Sequence, residues 1–79
     1  MKIALLSDTH GWLDPSLRKW FAGVEMILHA GDVGGECVLE ELEQIAPTLA
    51  VRGNIDLPDP ALPLERVVEV GEMRIALLH

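Results

Sequence analysis

The chain has 79 residues, which suits one small domain, and its 49% hydrophobic content excludes a disordered chain. The formal net charge of −7, from 13 acidic and 6 basic residues, argues against general binding to a nucleic-acid backbone, which requires clustered lysine and arginine. No apolar run approaches the roughly 20 residues of a membrane span, so no membrane association is expected.

Three strand-like runs lie in the first 53 residues. They are residues 2–7, 25–30 and 48–53, and each is a short apolar run typical of a strand that is buried on both faces. Because the first run begins directly after Met1 and Cys37 is the only cysteine, we expect no signal peptide, no internal disulfide and a cytoplasmic location.

Two helix-like stretches separate these strands. The first is predicted to begin at Asp14-Pro15, with Asp14 as its N-cap, and to end near Gly23. Its helical spacing predicts an apolar, core-facing stripe of Leu17, Trp20, Phe21 and Val24. The second helix is predicted at residues 36–46 and ends at Pro47.

The last third of the chain has a different pattern. After the proline-rich residues 57–63, the runs 64–70 and 73–79 flank Gly71-Glu72, which predicts an antiparallel hairpin. The predicted fold class is therefore α/β, with a parallel-sheet β-α-β-α-β core followed by a β-hairpin, in a single domain over residues 1–79.

Two helices are few for a sheet that is apolar on both faces. One face of the sheet, or the outer edge of the hairpin, should stay uncovered. We expect the chain to be truncated relative to a complete domain, or completed by a partner or by a second copy in a homo-oligomer.

Polar residues follow the strands of the predicted sheet. They are Asp8, His10, Asp32, Asn54 and His79. Since ligand sites in open α/β sheets lie at the carboxyl ends of parallel strands, we expect the first four side chains to converge, and His79 to join them if the second strand of the hairpin points the same way. Carboxylate, imidazole and amide groups without a thiolate suit manganese, iron, zinc or cobalt. Five ligands are too many for one catalytic ion with open positions but fit two ions that share a bridging carboxylate.

The order Asp-x-His, Gly-Asp, Gly-Asn-x-Asp and a strand-terminal His resembles the calcineurin-like metallophosphoesterases. It is most similar to their small single-domain bacterial and archaeal phosphodiesterase branch, and the resemblance covers essentially the whole chain. The resemblance implies that Asp8 and His10 bind a first metal, that Asp32 bridges both, and that Asn54 and His79 bind a second. It also implies an α/β sandwich of two sheets flanked by helices.

The activity implied by the resemblance is hydrolysis of a small phosphoester, most of all a phosphodiester, by a metal-activated water. The implied cofactors are two divalent ions, with manganese expected and iron, zinc, nickel and cobalt as alternatives. Asn54 would also orient the phosphate, and no side chain is assigned as a catalytic acid or base.

Two features depart from the family pattern. The Gly-His-x-His segment that completes both metal sites in the family does not occur in these 79 residues, so each ion would lack one ligand. Many members also carry His where this chain has Ile55. General-acid help is typically worth about 10²–10⁴-fold, so Ile55 predicts a preference for good leaving groups.

Other residues admit two interpretations. His29 is predicted to be a structural or supporting histidine rather than a ligand, and Asp56 a loop-fixing acid rather than a ligand. Gly34-Gly35 suits loop flexibility or the approach of a phosphate. Trp12 suits packing or stacking on a substrate ring.

Three functions remain open. The leading hypothesis is a dinuclear metal-dependent phosphodiesterase. The same fold also serves as a non-catalytic protein-binding scaffold in the retromer coat, which is the alternative from a different class. A third possibility is an inactive fragment that lacks the Gly-His-x-His segment.

Overall fold

The computed structural model describes residues 2–53, 56 and 62–79 of the chain. The elements in chain order are β1 (Ile3–Leu6), α1 (Leu17–Trp20), β2 (Met26–His29), α2 (Glu36–Glu43), β3 (Thr48–Ala50), β4 (Glu65–Val70) and β5 (Met73–Leu78). Within the described part of the chain, neither helix is long and apolar enough to cross a membrane.

The first three strands form a parallel sheet in the order β1-β2-β3. Their last residues are register partners, since Leu6 pairs with His29 and His29 pairs with Ala50. All three strands therefore end at one edge of the sheet, and the loops that come after them leave from that edge.

Strands β4 and β5 form a separate antiparallel pair, in which Val70 lies opposite Met73 across the turn at Gly71-Glu72. This arrangement confirms the predicted fold class, an α/β protein with a parallel core followed by a β-hairpin. It also matches the expectation of two sheets.

The central strand β2 is buried on both faces, as its apolar run predicts. Ile27 belongs to a cluster with the α2 residues Val38 and Leu42, and its neighbour Leu28 belongs to a second cluster with Val68 and Leu77 of the hairpin. Successive residues of a strand point to opposite faces, so α2 covers one face of the sheet and the hairpin covers the other.

The hairpin has an exposed apolar outer face. Val67 is 64% exposed and Leu78 is 59% exposed. The sequence predicted an uncovered face of the parallel sheet or an uncovered outer edge of the hairpin, and the exposed apolar residues lie instead on the outer face of the hairpin. Leu5 of the edge strand β1 is also an exposed apolar residue, at 67% exposure, because the hairpin does not extend over it.

The prediction for α1 was wrong in its length and for Trp20, whereas Phe21 and Val24 pack against the core as predicted. The helix is a single turn, Leu17–Trp20, with Ser16 at the N-cap and Phe21 at the C-cap. Asp14 instead accepts hydrogen bonds at Oδ1 from the backbone N–H and the hydroxyl of Ser16, at 2.9 and 2.8 Å. Because the helix stops after one turn, its regular spacing does not continue to Val24, and Trp20 is 77% exposed rather than buried.

The other elements are shorter than predicted. Helix α2 ends at Glu43 instead of residue 46, although Ala46 N–H still donates to Leu42 O at 3.1 Å. Strand β3 ends at Ala50, although Val51 N–H still donates to His29 O of β2 at 3.1 Å, and the chain that follows brings Gly53 close to Asp32.

Candidate metal centre

The loops after β1 and β2 run side by side beyond the end of the sheet. Asp8 N–H donates to Gly31 O at 2.9 Å, His10 N–H to Asp32 O at 2.9 Å, and Gly11 N–H to Val33 O at 2.8 Å. These bonds extend the pairing of the two strands and place the Asp-x-His segment directly beside Asp32.

Three of the predicted ligands have a left-handed backbone. The φ angles are 57° at Asp8, 49° at His10 and 56° at Asp32. This region costs an L-residue other than glycine roughly 1–2 kcal/mol. Such conformations persist where the surrounding structure fixes them, and they are concentrated at functional sites.

The side chains of these residues converge. His10 Nε2 lies 3.5 Å from Asp32 Oδ2 and 3.8 Å from Asp8 Oδ1. Ligand atoms of Asp8, Asp32 and His79 all lie within 4.8 Å of one another. The Asp32 side chain is only 8% exposed, whereas those of Asp8 and His10 are about half exposed, so the cluster is closed behind Asp32 and open at Asp8 and His10.

His79 reaches this cluster from the end of the hairpin. Its Nδ1 lies 2.9 Å from Ala30 O, and its Nε2 lies 3.5 Å from Asp32 Oδ2. A carbonyl oxygen only accepts hydrogen bonds, so Nδ1 carries the proton. In the neutral imidazole, Nε2 then has a free lone pair that faces the cluster, the arrangement that orients histidine ligands of metals.

Gly31 makes room for His79. A Cβ at this position would lie 2.8 Å from the Cβ and the Nδ1 of His79, and the φ of Gly31 is 109°. Gly53, after β3, makes a comparable approach to Asp32, because a Cβ there would overlap the backbone nitrogen and Oδ1 of Asp32. The glycines of the Gly-Asp and Gly-Asn motifs thus serve close packing around Asp32.

Hydrogen bonds to Asp56 link the loops that follow β2 and β3. Its carboxylate accepts hydrogen bonds from Val33 N–H at 3.0 Å, Gly34 N–H at 2.9 Å and Gly53 N–H at 2.9 Å. Burial raises the pKa of Asp56, but the amides of Gly34, Gly53, Val33 and Asp32 lower it by more, so the pKa lies below its usual value. Since the Gly34 amide donates to Asp56, it is already engaged by the protein rather than open to a phosphate.

His29 lies at the end of β2 and is fully buried, at 0% exposure. Its Nδ1 accepts a hydrogen bond from Gly31 N–H at 3.1 Å, and its Nε2 lies 3.1 Å from Thr9 Oγ1. Burial is the largest influence on the imidazole and lowers its pKa. His29 contacts the loops that carry the cluster and makes none of the close approaches to a carboxylate that His10 and His79 make.

Asp8 is the exposed acid of the cluster. Hydrogen bonding from the Ser7 side chain is the main cause that lowers its pKa, and Asp32, His79 and His10 act in the same direction. Asp8 is therefore ionised at neutral pH. An anionic, open group beside Asp32 gives the cluster the charge that a cation would neutralise.

These groups fit a divalent metal ion. Two carboxylates and two imidazoles with no thiolate form a borderline-hard donor set. His79 Nε2 lies 3.5 Å from a carboxylate oxygen of Asp32, a separation that a cation bound by both atoms would fit. Of the five ligands predicted from the sequence, four (Asp8, His10, Asp32 and His79) come together. The fifth, Asn54, lies outside the described residues, as does Ile55.

Sequence reasoning missed Thr9 and the packing role of Gly31. Thr9 stands between two predicted ligands, and the Gly before Asp32 was a visible signal for a close approach. The alternative of a packed Trp12 is not supported, because Trp12 is 65% exposed.

Two curated relatives match the whole chain. A protein named "Probable metallophosphoesterase" from Methanothermobacter thermautotrophicus is 36% identical over 85 residues, which cover 100% of this chain and 49% of the relative. A probable metallophosphoesterase from Methanocaldococcus jannaschii is 32% identical over 84 residues, covering 100% of this chain and 43% of the relative. The chain thus spans less than half the length of these relatives.

Solved structures with a similar fold include Vps29 proteins. Vps29 from Entamoeba histolytica, solved in complex with Zn²⁺, has a TM-score of 0.81 at 23% identity, and the match covers 100% of this chain and 48% of that one. Vps29 from Chaetomium thermophilum, complexed with a cyclic peptide, has a TM-score of 0.68 at 27% identity, covering 96% and 42%.

The names of the two relatives mark them as metal-dependent phosphoesterases, in agreement with the donor set at the edge of the sheet. The resemblance predicted from the order of the motifs is confirmed at the level of the family. Residues 1–79 match the calcineurin-like phosphoesterase superfamily domain, and the chain belongs to that superfamily.

Proposed function

We propose that this protein is a phosphodiesterase that holds two divalent metal ions at the carboxyl edge of its parallel sheet. The observation that carries the proposal is the convergence of Asp8, Asp32 and His79 ligand atoms within 4.8 Å, with His10 Nε2 3.5 Å from Asp32. The residues come from two different strand ends and from the end of the hairpin. Their convergence therefore depends on the fold and not on a local run of acidic residues.

In this proposal Asp8 and His10 would hold the first ion, Asp32 would be shared by both, and Asn54 and His79 would hold the second. Bound divalent ions would supply Lewis acidity that activates water and offsets charge on the phosphoryl oxygens. Asp32 is the buried member and sets the back of the site, while the exposed Asp8 and His10 line its open side. The open side is where a small phosphoester would enter.

The preference for diesters rests on the branch of the family that the motifs resemble. Ile55 donates no proton to a leaving group, so we expect activity on esters with acidic leaving groups.

Manganese is the proposed native ion, because a mixed carboxylate and imidazole set suits it, with iron, zinc, nickel and cobalt as alternatives. We place the protein in the cytoplasm, where the exposed thiol of Cys37 would stay reduced.

The test compares hydrolysis of bis(p-nitrophenyl) phosphate and p-nitrophenyl phosphate by the Mn²⁺-loaded protein. We expect measurable release of nitrophenol with the diester preferred, and a loss of at least about 100-fold in the Asp32→Asn variant, because a bridging ligand contributes more than the 10–100-fold of an outer partner. Asp14→Asn makes the same chemical change at an exposed carboxylate outside the site and should leave the rate unchanged. Equal rates in the wild type and Asp32→Asn would refute the proposal.

A protein-binding scaffold is the second candidate. The observation that favours it is the likeness to Vps29, for which one of the matched structures holds a cyclic peptide. Hydrolysis separates the two functions better than metal content, because a Vps29 structure also holds Zn²⁺. Phosphodiester hydrolysis that is lost in Asp32→Asn supports the enzyme, and a protein that captures a peptide but hydrolyses no phosphoester supports the scaffold.

A further inference from the structure

A chain of hydrogen bonds links His29 to the loop after β2 through Thr9. His29 Nε2 lies 3.1 Å from Thr9 Oγ1, and Thr9 Oγ1 donates to Val33 O at 2.8 Å. On its other side, His29 Nδ1 accepts from Gly31 N–H at 3.1 Å. The contacts join β2, the loop that carries Asp8 and His10, and the loop that carries Asp32.

The direction of each bond is set by the groups at its ends. Gly31 N–H only donates, so Nδ1 of His29 carries no proton and the neutral imidazole has its proton on Nε2. Val33 O only accepts, so the Thr9 hydroxyl donates its hydrogen bond to Val33 O. The Thr9 oxygen then accepts a hydrogen bond from Nε2–H of His29. With these proton positions, every donor and acceptor in this series of hydrogen bonds has a partner.

The backbone around Thr9 needs such a restraint. Asp8 and His10, on either side of Thr9, both have positive φ, and so does Asp32 in the facing loop. A non-glycine residue leaves this conformation unless several contacts hold it. The main-chain bonds of Asp8, His10 and Gly11 provide part of the restraint, and Thr9 is the side chain that ties the same segment to both β2 and Val33.

We propose that Thr9 and His29 are positioning residues of the metal centre, which hold the Asp8–His10 loop in register with the Asp32 loop without contacting a metal themselves. The proposal deepens the proposed function, because its consequence for metal affinity rests on that function. The register itself is a property of the chain that can be measured without any metal.

The first experiment measures Mn²⁺ affinity by calorimetry. Thr9→Val keeps the shape of the side chain and removes the hydroxyl, so we expect affinity to fall about 10–100-fold, the usual effect of losing a partner behind the ligands. Thr9→Ser restores the hydroxyl and should recover most of the affinity. Thr48→Val is the matched control, since the Thr48 hydroxyl also donates to a backbone carbonyl, that of Ala46 at 3.0 Å, in a part-buried setting.

The second experiment measures amide hydrogen exchange in the metal-free protein. In Thr9→Val the amides of His10 and Gly11 should exchange roughly fivefold faster or more relative to the Phe21 amide, which donates to Leu17 O away from both mutated threonines, because their partners are held less firmly. Thr9→Ser and Thr48→Val should leave this ratio unchanged. A ratio in Thr9→Val equal to that of the wild type would overturn the proposal.

The two readouts separate this proposal from the proposed function. If the wild type binds no Mn²⁺ or hydrolyses no phosphoester, the function fails, and the exchange ratio still decides whether Thr9 holds the register. If the wild type binds Mn²⁺ and Thr9→Val binds it equally well, the positioning role fails while the function stands. A loss of affinity in Thr48→Val as large as that in Thr9→Val would also overturn the positioning role, because a general loss of stability would then explain both.

Discussion

Nε2 of His79 lies 3.5 Å from Oδ2 of Asp32, although the β4–β5 hairpin separates the two residues in the chain. The position of the imidazole depends on its other nitrogen, which donates to Ala30 O at 2.9 Å, and on the absence of a side chain at Gly31. The hairpin therefore contributes a side chain to the edge of the parallel sheet as well as covering one of its faces.

Replacing Gly31 by alanine should displace His79. A Cβ at Gly31 would lie 2.8 Å from the Cβ and the Nδ1 of His79, and the φ of 109° adds backbone strain. We expect Gly31→Ala to lower the free energy of unfolding by more than about 1 kcal/mol and to reduce Mn²⁺ affinity at least about tenfold. Urea denaturation and calorimetric titration with Mn²⁺ measure the two effects.

Gly23→Ala is the control for the backbone strain. Gly23 also has a positive φ of 82°, but nothing lies within 4 Å of a Cβ built there. The Gly23→Ala variant should lose stability because alanine is strained at this positive φ, and it should retain the Mn²⁺ affinity of the wild type. If both variants lost affinity equally, strain and not displacement of His79 would be the cause.

The order of elements along the chain and the convergence of polar residues at one edge could be predicted from the sequence, because both depend on apolar runs that are followed by polar residues. Parallel strands end at the same edge of a sheet, so the residues that follow them lie near one another whatever their exact contacts. The same pattern failed at α1, where the apolar spacing through Trp20 describes a helix that stops after one turn. Thr9 could not be assigned from the sequence either, because its role depends on His29 from another strand.

Asp56→Asn should destabilise the protein. The variant keeps the shape of the side chain but replaces a charged acceptor of three backbone amides by a neutral group that also carries donors. Hydrogen bonds to charged groups contribute about 1.5–3 kcal/mol, so we expect a loss of about 2 kcal/mol in the free energy of unfolding at pH 7. Glu69→Gln removes an exposed carboxylate paired with Arg74 at 3.3 Å and should change stability by less than about 1 kcal/mol.

The effect of Asp56→Asn should depend on pH. The pKa of Asp56 is lowered in the folded protein, so its contribution is fully present above the unfolded value of 3.8 and is lost as the pH falls through the folded pKa. Urea denaturation at a series of pH values should show the difference between wild type and variant shrinking below about pH 3.8. A difference that stays constant down to the lowest pH at which the wild type folds would contradict a role for the charge.

His29 should make the stability of the protein depend on pH as well, in a higher pH range than Asp56 and because of burial rather than hydrogen bonds to a carboxylate. Burial lowers the pKa of its imidazole more than any other influence, Asp56, Asp8 and Asp32 raise it, and His79 lowers it. With its folded pKa below 6.5, the unfolded chain binds more protons as the pH falls. The contribution of neutral His29 to stability is therefore complete above pH 6.5 and decreases as the pH falls through 6.5 towards the folded pKa.

Protonation would also place a proton on Nδ1, which faces the Gly31 N–H at 3.1 Å, so the charged form loses that hydrogen bond. We expect a ¹H NMR titration of the His29 ring to give a pKa below 6.5, and urea denaturation to show stability falling between pH 7.5 and 5.5. His29→Asn provides a side-chain oxygen near the Nδ1 position that cannot titrate, so its stability should vary less with pH over this range. A ring pKa at or above 6.5, or the same pH dependence in His29→Asn, would mean that the imidazole is not held neutral between Gly31 and Thr9.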